Sequence, residues 1–282
     1  VVRLVGSEMC IRDRLNLIKE SSGDKKLNKN LILGQARINS KEVKKNDIFF
    51  AIRGRKNDGN KFVEEALKKK ASIVVVNKIK KKLDYKKQIK VIDSLKFLTE
   101  TSTIFRENID AKIIAITGSC GKTTLKELLG KTLKKISKTT ISPKSYNNKY
   151  GVPLSLFNLS KNDNYGVLEV GMDKKGEIDY LSKIIKPDIS VITNINYAHA
   201  KNFKNIKDIA LAKSEIISNT KPNGFVILNA DDNFFRLHQK IATKNNINII
   251  SFGIKNYKSD VKLINIIKIC LLYTSDAADD IP

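Results

Sequence analysis

The chain has 282 residues, of which 41% are hydrophobic and 29% charged, a balance typical of a globular protein large enough for two domains. No stretch approaches the roughly 18 uninterrupted apolar residues of a membrane span, and the N-terminus lacks the apolar core of a signal peptide, so we expect a cytoplasmic protein. The net charge is +24, but the excess is mostly Lys scattered beside Asn and Ile, with little Arg, which favours a solvated basic surface over nucleic-acid binding.

The two ends of the chain differ from the sequence between them. Residues 1–14 and 270–282 contain no Lys, although Lys is abundant in the intervening part. Both ends are similar to translated adaptor sequence, so we interpret them as non-native tails and expect a fragment that lacks its natural C-terminus. Native tails are the alternative. Three cysteines indicate neither a disulfide framework nor a zinc site, because their spacing is unpaired; they are Cys10, Cys120 and Cys270.

Residues 15–108 are predicted to form a first domain in which strands and helices alternate, which indicates a small α/β layer structure. The predicted strands, which are short apolar runs, are Asp47–Ile52, Ser72–Asn77 and Ile89–Ile92. The predicted helices are Asn60–Lys70, which has one apolar face, and Ser94–Arg106.

Residues 109–269 are predicted to form a second α/β domain with a doubly wound, mostly parallel sheet. The predicted strands are Lys112–Thr117, Gly166–Val170, Ile189–Thr193 and Phe225–Asn229. The predicted helices are one that ends near Lys135 and those at Val152–Leu159, Glu177–Lys186 and Ile206–Asn219. Buried strands that alternate with helices favour parallel pairing, and the ligands of such sheets bind beyond the carboxyl ends of the strands.

The strongest motif is a phosphate loop between the strand Lys112–Thr117 and the helix that follows. The residues predicted to bind the nucleotide are Thr117, Gly118, Ser119, Cys120, Gly121, Lys122, Thr123 and Thr124. Glycines let backbone N–H groups turn toward a phosphate, and a helix N-terminus carries partial positive charge. Lys122 can reach the β- and γ-phosphates, and the Thr123 hydroxyl can bind Mg²⁺. The spacing between the glycines is shorter than in the general P-loop pattern, and a tight structural turn is the alternative.

The run Thr117-Gly-Ser-Cys-Gly-Lys-Thr-Thr124, followed by Lys126-Glu127, resembles the phosphate loop of the Mur ligase family. The resemblance extends from about Gly34 to Ile267 and includes three further stretches. These stretches are Asn147-Asn148-Lys-Tyr-Gly-Val-Pro153, Leu168–Met172 with Gly176-Glu177-Ile178, and Asn194–His199. They favour the family member that adds a D-alanyl-D-alanine dipeptide over the member that adds the third peptide residue.

The resemblance implies that ATP and two Mg²⁺ ions bind at the carboxyl ends of the strands. The metal ligands that it implies are Thr123, Glu169, His199 and Lys213, and the catalytic residues are Lys122, His199 and Lys213. Lys213 matches a lysine that forms a carbamate with CO₂, which requires a lowered pKa because only the neutral amine reacts. From the residues alone, a water-facing surface role is the alternative for Glu169, His199 and Lys213.

The resemblance also implies that the first domain holds the UDP end of a sugar-peptide precursor. The candidate substrate-binding residues are Ser40, Asp58 and Gly59, together with Asn147 and Asn148 in the second domain. Lys41 and Asn60 stand where relatives usually carry Arg and His, which leaves the contacts of these two residues open. A simple loop is the alternative for this region.

The activity implied by the resemblance is an ATP-dependent ligase that joins D-alanyl-D-alanine to UDP-MurNAc-tripeptide through an acyl phosphate in peptidoglycan precursor synthesis. We expect a monomer that does not bind nucleic acid. The alternatives are a sister ligase that adds diaminopimelate or lysine, a P-loop ATPase that binds nucleic acid, and a catalytically inactive fragment. Relatives use a further C-terminal domain to close over the nucleotide and bind the amine, and we expect that domain to be missing here.

Overall fold

The structure of the protein, a computed structural model, describes residues 6–23, 31–54, 57–197, 202–256 and 258–264, with only the backbone described for 6–13. The predicted metal ligand His199 and the predicted tail 270–282 lie outside the described residues. Among the described helices, none is both long and apolar enough to cross a membrane.

The first part of the chain folds around a four-stranded sheet in which all pairings are parallel. The strands, in spatial order, are β1 (Ala36–Arg37), β2 (Ile48–Phe50), β3 (Ile73–Val76) and β4 (Gln88–Lys90). The helices are α1 (Gly6–Ser22), α2 (Val63–Lys68) and α3 (Ser94–Glu107). Every side chain of β2 and β3 is buried, because helices and loops cover both faces of these parallel strands, and this explains their continuous apolar runs.

Besides shifts of one or two residues at element ends, two features of the first part of the chain differ from the prediction. The predicted helix Asn60–Lys70 is divided into a 3-10 turn, Gly59–Phe62, and the shorter helix α2. The Asp58 carboxylate accepts a hydrogen bond from the Asn60 N–H at 2.9 Å and starts the turn, and Lys70 follows the helix with a left-handed φ of 64°. Helix α1 begins at Gly6, inside the predicted tail 1–14, and continues without a break; the non-native origin of that tail stays a prediction.

The second part of the chain forms a seven-stranded sheet in which every described pairing is parallel. Its strands are β5 (Lys112–Thr117), β6 (Thr139–Ile141), β7 (Tyr165–Glu169), β8 (Ile189–Ile192), β9 (Phe225–Asn229), β10 (Asn248–Gly253) and β11 (Val261–Lys262). Its helices are α4 (Lys122–Lys134), α5 (Gly151–Phe157), α6 (Glu177–Ile185), α7 (Ile206–Ser218) and α8 (Phe235–Lys244). The predicted class, α/β with a doubly wound parallel sheet, is confirmed.

The chain enters this sheet in the middle, and the direction of winding reverses there. The spatial order is β11-β10-β9-β8-β5-β7-β6, so the chain passes from β5 toward one edge and later from β8 toward the other. In doubly wound sheets, ligands bind outside the carboxyl ends of the strands at such a switch point. The ends of β5 and β8 meet here, and the Thr193 N–H donates to the Thr117 carbonyl at 3.0 Å.

Helix α3 connects the two sheets through the buried side chain of Arg106. Its guanidinium donates to three backbone carbonyls at 2.8 to 3.2 Å and forms a 2.7 Å ion pair with Asp188, just before β8. Burial alone would raise the pKa of Asp188, but the Ile113 N–H and the Arg106 guanidinium outweigh burial and hold that pKa below its usual value. Helix α3 is thereby fixed to the amino end of β8, whereas the phosphate loop lies at the carboxyl ends of the strands.

Candidate functional site

The phosphate loop, Gly118–Gly121, makes a turn between β5 and α4 that requires glycine at two positions. Gly118 has a φ of 143°, and a Cβ there would lie 1.9 Å from the Thr193 hydroxyl oxygen. Gly121 has a φ of 80° and is the N-cap of α4. The N-terminus of α4 therefore presents unpaired N–H groups at this turn, where an anion can bind. Of the flanking residues, Thr117 is fully buried and Thr124 is exposed.

The residues that follow β8 hold the phosphate loop in shape. Asn194 brackets the backbone of Cys120, because its Oδ1 accepts from the Cys120 N–H at 3.0 Å and its Nδ2 donates to the Cys120 carbonyl at 3.3 Å. The Thr193 hydroxyl donates to the same carbonyl at 2.7 Å. The Ser119 hydroxyl donates to the Asn196 carbonyl at 2.9 Å and accepts from the Asn196 N–H at 2.8 Å. These contacts hold the loop in its turned conformation.

Two lysines from different helices meet at one carbonyl of the phosphate loop. Lys122 Nζ and Lys213 Nζ each donate to the Gly118 carbonyl oxygen at 2.9 Å. Lys213 lies on α7 and is 2% exposed, whereas Lys122 is only partly buried. Burial, and after it the neighbouring Lys122 ammonium, lowers the pKa of Lys213 to about 7. The Lys213 amine is therefore mostly neutral at a pH slightly above 7, which is the state that reacts with CO₂.

Glu169, at the end of β7, is a buried carboxylate with two neutral hydrogen-bond partners. Its Oε2 accepts from the Thr123 hydroxyl at 2.7 Å, and its Oε1 accepts from the Asn147 amide at 2.8 Å. The residue is 1% exposed, and no ion pair with a described residue balances its charge. A buried carboxylate is stabilised by a nearby cation, and carboxylate and hydroxyl oxygens are ligands that Mg²⁺ prefers. Thr123 and Glu169 therefore fit a Mg²⁺ ion.

The other two predicted metal ligands are His199 and Lys213. Among the described residues, no group of three or more His, Cys, Asp or Glu is arranged to hold a metal ion. His199 lies outside that part of the chain, and Lys213 presents an amine, which offers oxygen ligands only after conversion to a carbamate. The second predicted Mg²⁺ site, at His199 and Lys213, stays a prediction.

A cavity of about 430 Å³ opens beside the two lysines. Four predicted site residues line it: Lys122 and Lys213 from the nucleotide side, and Asn147 and Asn148 from the segment before α5. Asn148 Oδ1 accepts from two backbone N–H groups at the start of α5, at 3.0 and 3.1 Å, which fixes the position of that helix. The cavity thus lies between the phosphate loop and amide side chains that can bind a polar substrate.

The predicted substrate-binding residues of the first domain do not line this cavity. Ser40 is 5% exposed, and its hydroxyl already donates to a Glu65 carboxylate oxygen at 2.8 Å. Asp58 lines a separate cavity of about 630 Å³ and accepts from the Asn60 side chain at 2.7 Å. A Cβ on Gly59 would lie 2.7 Å from the backbone of a neighbouring segment, so the close approach of two chain segments requires glycine here. The substrate roles of these residues stay predictions.

Several residues that shape the site have no role predicted from the sequence. Thr193 and Asn194 form a polar pair directly after an apolar strand, and this position is the signal that could have indicated them. Glu215, on α7 two residues after Lys213, accepts from the backbone N–H groups of Gly176 and Asp179 at 2.9 and 3.0 Å. It therefore ties α7 to the start of α6, and no local pattern distinguishes it from other helical glutamates.

Comparisons with known families and proteins agree with one another. Residues 116–269 match the model of the Mur ligase middle domain, and residues 35–106 match the model described as Mur ligase family, catalytic domain. Together these matches include the phosphate loop, Glu169, Lys213 and the candidate residues of the first domain.

Curated relatives share one enzyme name. The UDP-N-acetylmuramoyl-tripeptide–D-alanyl-D-alanine ligase of Buchnera aphidicola subsp. Acyrthosiphon pisum is 39% identical over 246 residues, which cover 87% of this chain and 53% of the relative. The enzyme of the same name from Rickettsia prowazekii is 38% identical over 231 residues, which cover 82% of this chain and 51% of the relative. The chain spans about half the length of the curated relatives it matches.

Solved structures with the same fold include two called MurF. MurF from Acinetobacter baumannii has a TM-score of 0.77 and 30% sequence identity, and the match covers 89% of this chain and 55% of that chain. MurF ligase from Thermotoga maritima in complex with ADP has a TM-score of 0.66 and 30% identity, and the match covers 80% of this chain and 52% of that chain.

Proposed function

The chain belongs to the Mur ligase family, and we propose that the protein is an ATP-dependent ligase that joins D-alanyl-D-alanine to UDP-MurNAc-tripeptide. The observation that carries this proposal is the preorganised phosphate loop, with Lys122 and the Thr123–Glu169 pair beside it. The names of the relatives suggest the substrates, and the bound ADP of the Thermotoga structure suggests the nucleotide. Because the reaction consumes ATP, we place it in the cytoplasm.

ATP would bind with its phosphates against the phosphate loop and the start of α4. The loop N–H groups and the helix N-terminus favour an anion at this position. Lys122 Nζ donates to the Gly118 and Ser119 carbonyls at 2.9 and 3.2 Å, and it would exchange these contacts for β- and γ-phosphate oxygens. The contacts from Asn194 would keep the loop in place during this exchange.

Thr123 and Glu169 would hold one Mg²⁺ ion, and His199 with a carbamate on Lys213 would hold a second. Bound Mg²⁺ would reduce the repulsion between the γ-phosphate and an acceptor carboxylate. The lowered pKa of Lys213 supports the carbamate. A new N–C bond would form between the neutral amine and CO₂, and a proton would leave to water. A buried amine beside Lys122 would thereby become an anion that attracts the Lys122 ammonium.

The reaction needs positioning and charge neutralisation more than a nucleophile from the protein. The terminal carboxylate of the precursor peptide attacks the γ-phosphorus, and ADP leaves. The amine of D-alanyl-D-alanine then displaces phosphate from the acyl phosphate to form the amide. The cavity lined by Asn147 and Asn148 would receive the peptide end, and the cavity at Asp58 would receive the UDP end.

Nucleotide binding by this chain tests the proposal. We expect a fluorescent ATP analogue to bind in the presence of Mg²⁺, and Lys122→Ala to weaken binding about tenfold or more, because a charged hydrogen-bond donor to the phosphates is lost. Lys131→Ala is the matched control, since it removes the same charge from an exposed position on the same helix. Equal affinities of Lys122→Ala and the unchanged chain would contradict the assignment.

Precursor binding separates the proposed ligase from its alternatives. We expect UDP-MurNAc-tripeptide to bind more tightly than UDP-MurNAc-dipeptide in calorimetry. The opposite preference would favour the sister ligase that adds diaminopimelate or lysine. Steeply salt-dependent DNA binding, unaffected by either precursor, would favour a P-loop ATPase that binds nucleic acid. The monomeric state also stays a prediction, and sedimentation of the purified chain would test it.

A further inference from the structure

Lys126 lies one turn after Thr123 on α4 and is fully buried. Its ammonium donates to the Ser142 carbonyl at 2.7 Å and to the Lys144 carbonyl, and it forms a 3.1 Å ion pair with the partly exposed Glu127. Three acceptors match the three N–H donors of an ammonium group. A buried amino group needs such hydrogen-bond partners, and these three acceptors provide them.

The two carbonyls belong to a segment that carries predicted substrate residues. Residues 142–148, called here the asparagine segment, run from the end of β6 to the start of α5 and include Asn147 and Asn148. Lys144 has a left-handed φ of 49°, which is uncommon for a residue other than glycine. The Tyr146 N–H then donates to the Pro143 carbonyl at 3.1 Å in a turn. The bond from Lys126 to the Lys144 carbonyl therefore stabilises an unfavourable backbone conformation.

Two residues of the asparagine segment, one near each end of the segment, contact the candidate metal ligand Glu169. Asn147 Nδ2 donates to Glu169 Oε1 at 2.8 Å, and the Ser142 hydroxyl oxygen accepts from the Glu169 N–H at 3.3 Å. The other carboxylate oxygen of Glu169 accepts from Thr123 at 2.7 Å. Thr123 and Lys126 are three residues apart and so share one face of α4. A closed ring of contacts therefore runs from Thr123 through Glu169 and the asparagine segment to Lys126.

We propose that Lys126 is a positioning residue for the Mg²⁺–ATP site: it fixes the asparagine segment, so that Asn147 orients the Glu169 carboxylate. This inference rests on the proposed function, because it takes Glu169 as a Mg²⁺ ligand. Lys126 has no donor left for a nucleotide, since its three N–H groups are engaged. Groups that orient a metal ligand change metal affinity by about ten- to hundredfold when they are removed. Removal of the Lys126 amine should therefore change the Mg²⁺ dependence of nucleotide binding.

Lys126→Met tests this role, because it keeps a long unbranched side chain but leaves the buried Ser142 carbonyl and the partly buried Lys144 carbonyl without their donor. Lys131→Met is the matched control on the exposed face of α4. Binding of a fluorescent ATP analogue to the full chain is measured at increasing Mg²⁺ concentration and in EDTA. We expect Lys126→Met to raise the half-saturating Mg²⁺ concentration about tenfold or more and to change metal-free binding less. Lys131→Met should change neither quantity.

Hydrogen exchange measures the stability of the asparagine segment directly and does not require the metal. We expect faster exchange at the Tyr146 and Asn147 amides in Lys126→Met, with no change in the amides of β8. A double-mutant cycle with Asn147→Ala tests the route of the effect. If Lys126 acts through Asn147, the double variant should require the same Mg²⁺ concentration as Asn147→Ala alone.

The outcomes distinguish this inference from the proposed function. Equal weakening of metal-free and Mg²⁺-dependent binding in Lys126→Met, or additive effects in the cycle, would overturn the positioning role and leave the ligase proposal intact. Absence of Mg²⁺-dependent nucleotide binding by the unchanged chain would overturn both. If Lys126→Met loses cooperative thermal unfolding, Lys126→Gln, which retains an N–H donor, takes its place. The expected rise in the half-saturating Mg²⁺ concentration is then smaller, and no rise would again overturn the positioning role.

Discussion

The lowered pKa of Lys213 predicts that CO₂ reacts with this lysine in preference to others. With a pKa of about 7, roughly three quarters of the Lys213 side chains are neutral near pH 7.5, against about one in a thousand for a lysine with an ordinary pKa. The concentration of reactive amine is therefore several hundred times greater at Lys213 than at an exposed lysine. Lys213→Met removes this amine and keeps a long apolar side chain at the position.

Two features of the site produce this difference. Lys213 is 2% exposed, so its charged form loses most of its hydration, and its Nζ shares the Gly118 carbonyl with Lys122 Nζ. Two ammonium groups that share one acceptor oxygen are close enough to repel each other, by roughly 3 kcal/mol for a separation of about 5 Å at an effective dielectric constant near 20. A carbamate on Lys213 would instead be attracted to the Lys122 ammonium by a similar amount. The geometry that keeps the amine neutral therefore also favours its product with CO₂.

Carbon-13 NMR with labelled bicarbonate measures the carbamate directly. At a constant concentration of dissolved CO₂, we expect a carbamate resonance that grows as the pH rises through about 7 and that is absent from Lys213→Met. Lys131→Met should retain the resonance. Carbamate on the terminal α-amino group would persist in all three proteins and serves as an internal reference. A spectrum of Lys213→Met identical to that of the unchanged chain would refute the step from the lowered pKa to the carbamate.

Two further predictions concern stability. Asp188→Asn should lower the free energy of unfolding by roughly 3 to 5 kcal/mol in urea, because it leaves the buried Arg106 without its counter-ion, whereas Glu64→Gln at an exposed pair should change the midpoint little. The pKa of Lys213 is lower in the folded than in the unfolded chain, so the unfolded chain binds more protons between pH 7 and 10.5. Relative to Lys213→Met, the free energy of unfolding should rise by up to about 1.4 kcal/mol per pH unit in this window. Urea unfolding at two pH values measures this rise. A fall in the relative free energy of unfolding would contradict burial as the cause of the lowered pKa.

The central strands could be predicted because each is an apolar run; β5, β7 and β8 are buried along almost their whole length, and β9 is buried on one face. The bounds of β5 and β9 agree with the prediction to the residue, β7 begins and ends one residue earlier than predicted, and β8 ends one residue earlier. The short strands β6 and β11 and the mixed polar sequence of β10 carry no comparable pattern. Such strands near the edge of a sheet depend on pairing with a neighbour more than on their own composition. Their positions therefore could not be predicted from the sequence.

The phosphate loop was also predictable, since its glycines, Lys122 and Thr123 are adjacent in the sequence and act through local backbone geometry. The contacts that complete the site are not local. Asn194 reaches Cys120 only because β8 lies beside β5, and Lys213 reaches Gly118 only because α7 places it there. Without the family resemblance, Lys213 would be one lysine among many on a basic chain. No sequence pattern could reveal that its side chain is buried.

The number of oxygen partners determines what a buried lysine can do near this phosphate loop. Lys126 has two carbonyls and a carboxylate around its ammonium, so a charged side chain is fully compensated there. Among the described residues, Lys213 has one carbonyl acceptor, and the neighbouring charge that affects its pKa most is the Lys122 ammonium. The same side chain is therefore fully hydrogen-bonded at position 126, whereas at position 213 its pKa is lowered to about 7. Because both sites lie within one fold of a basic protein, local compensation and not overall charge separates a structural lysine from a reactive one.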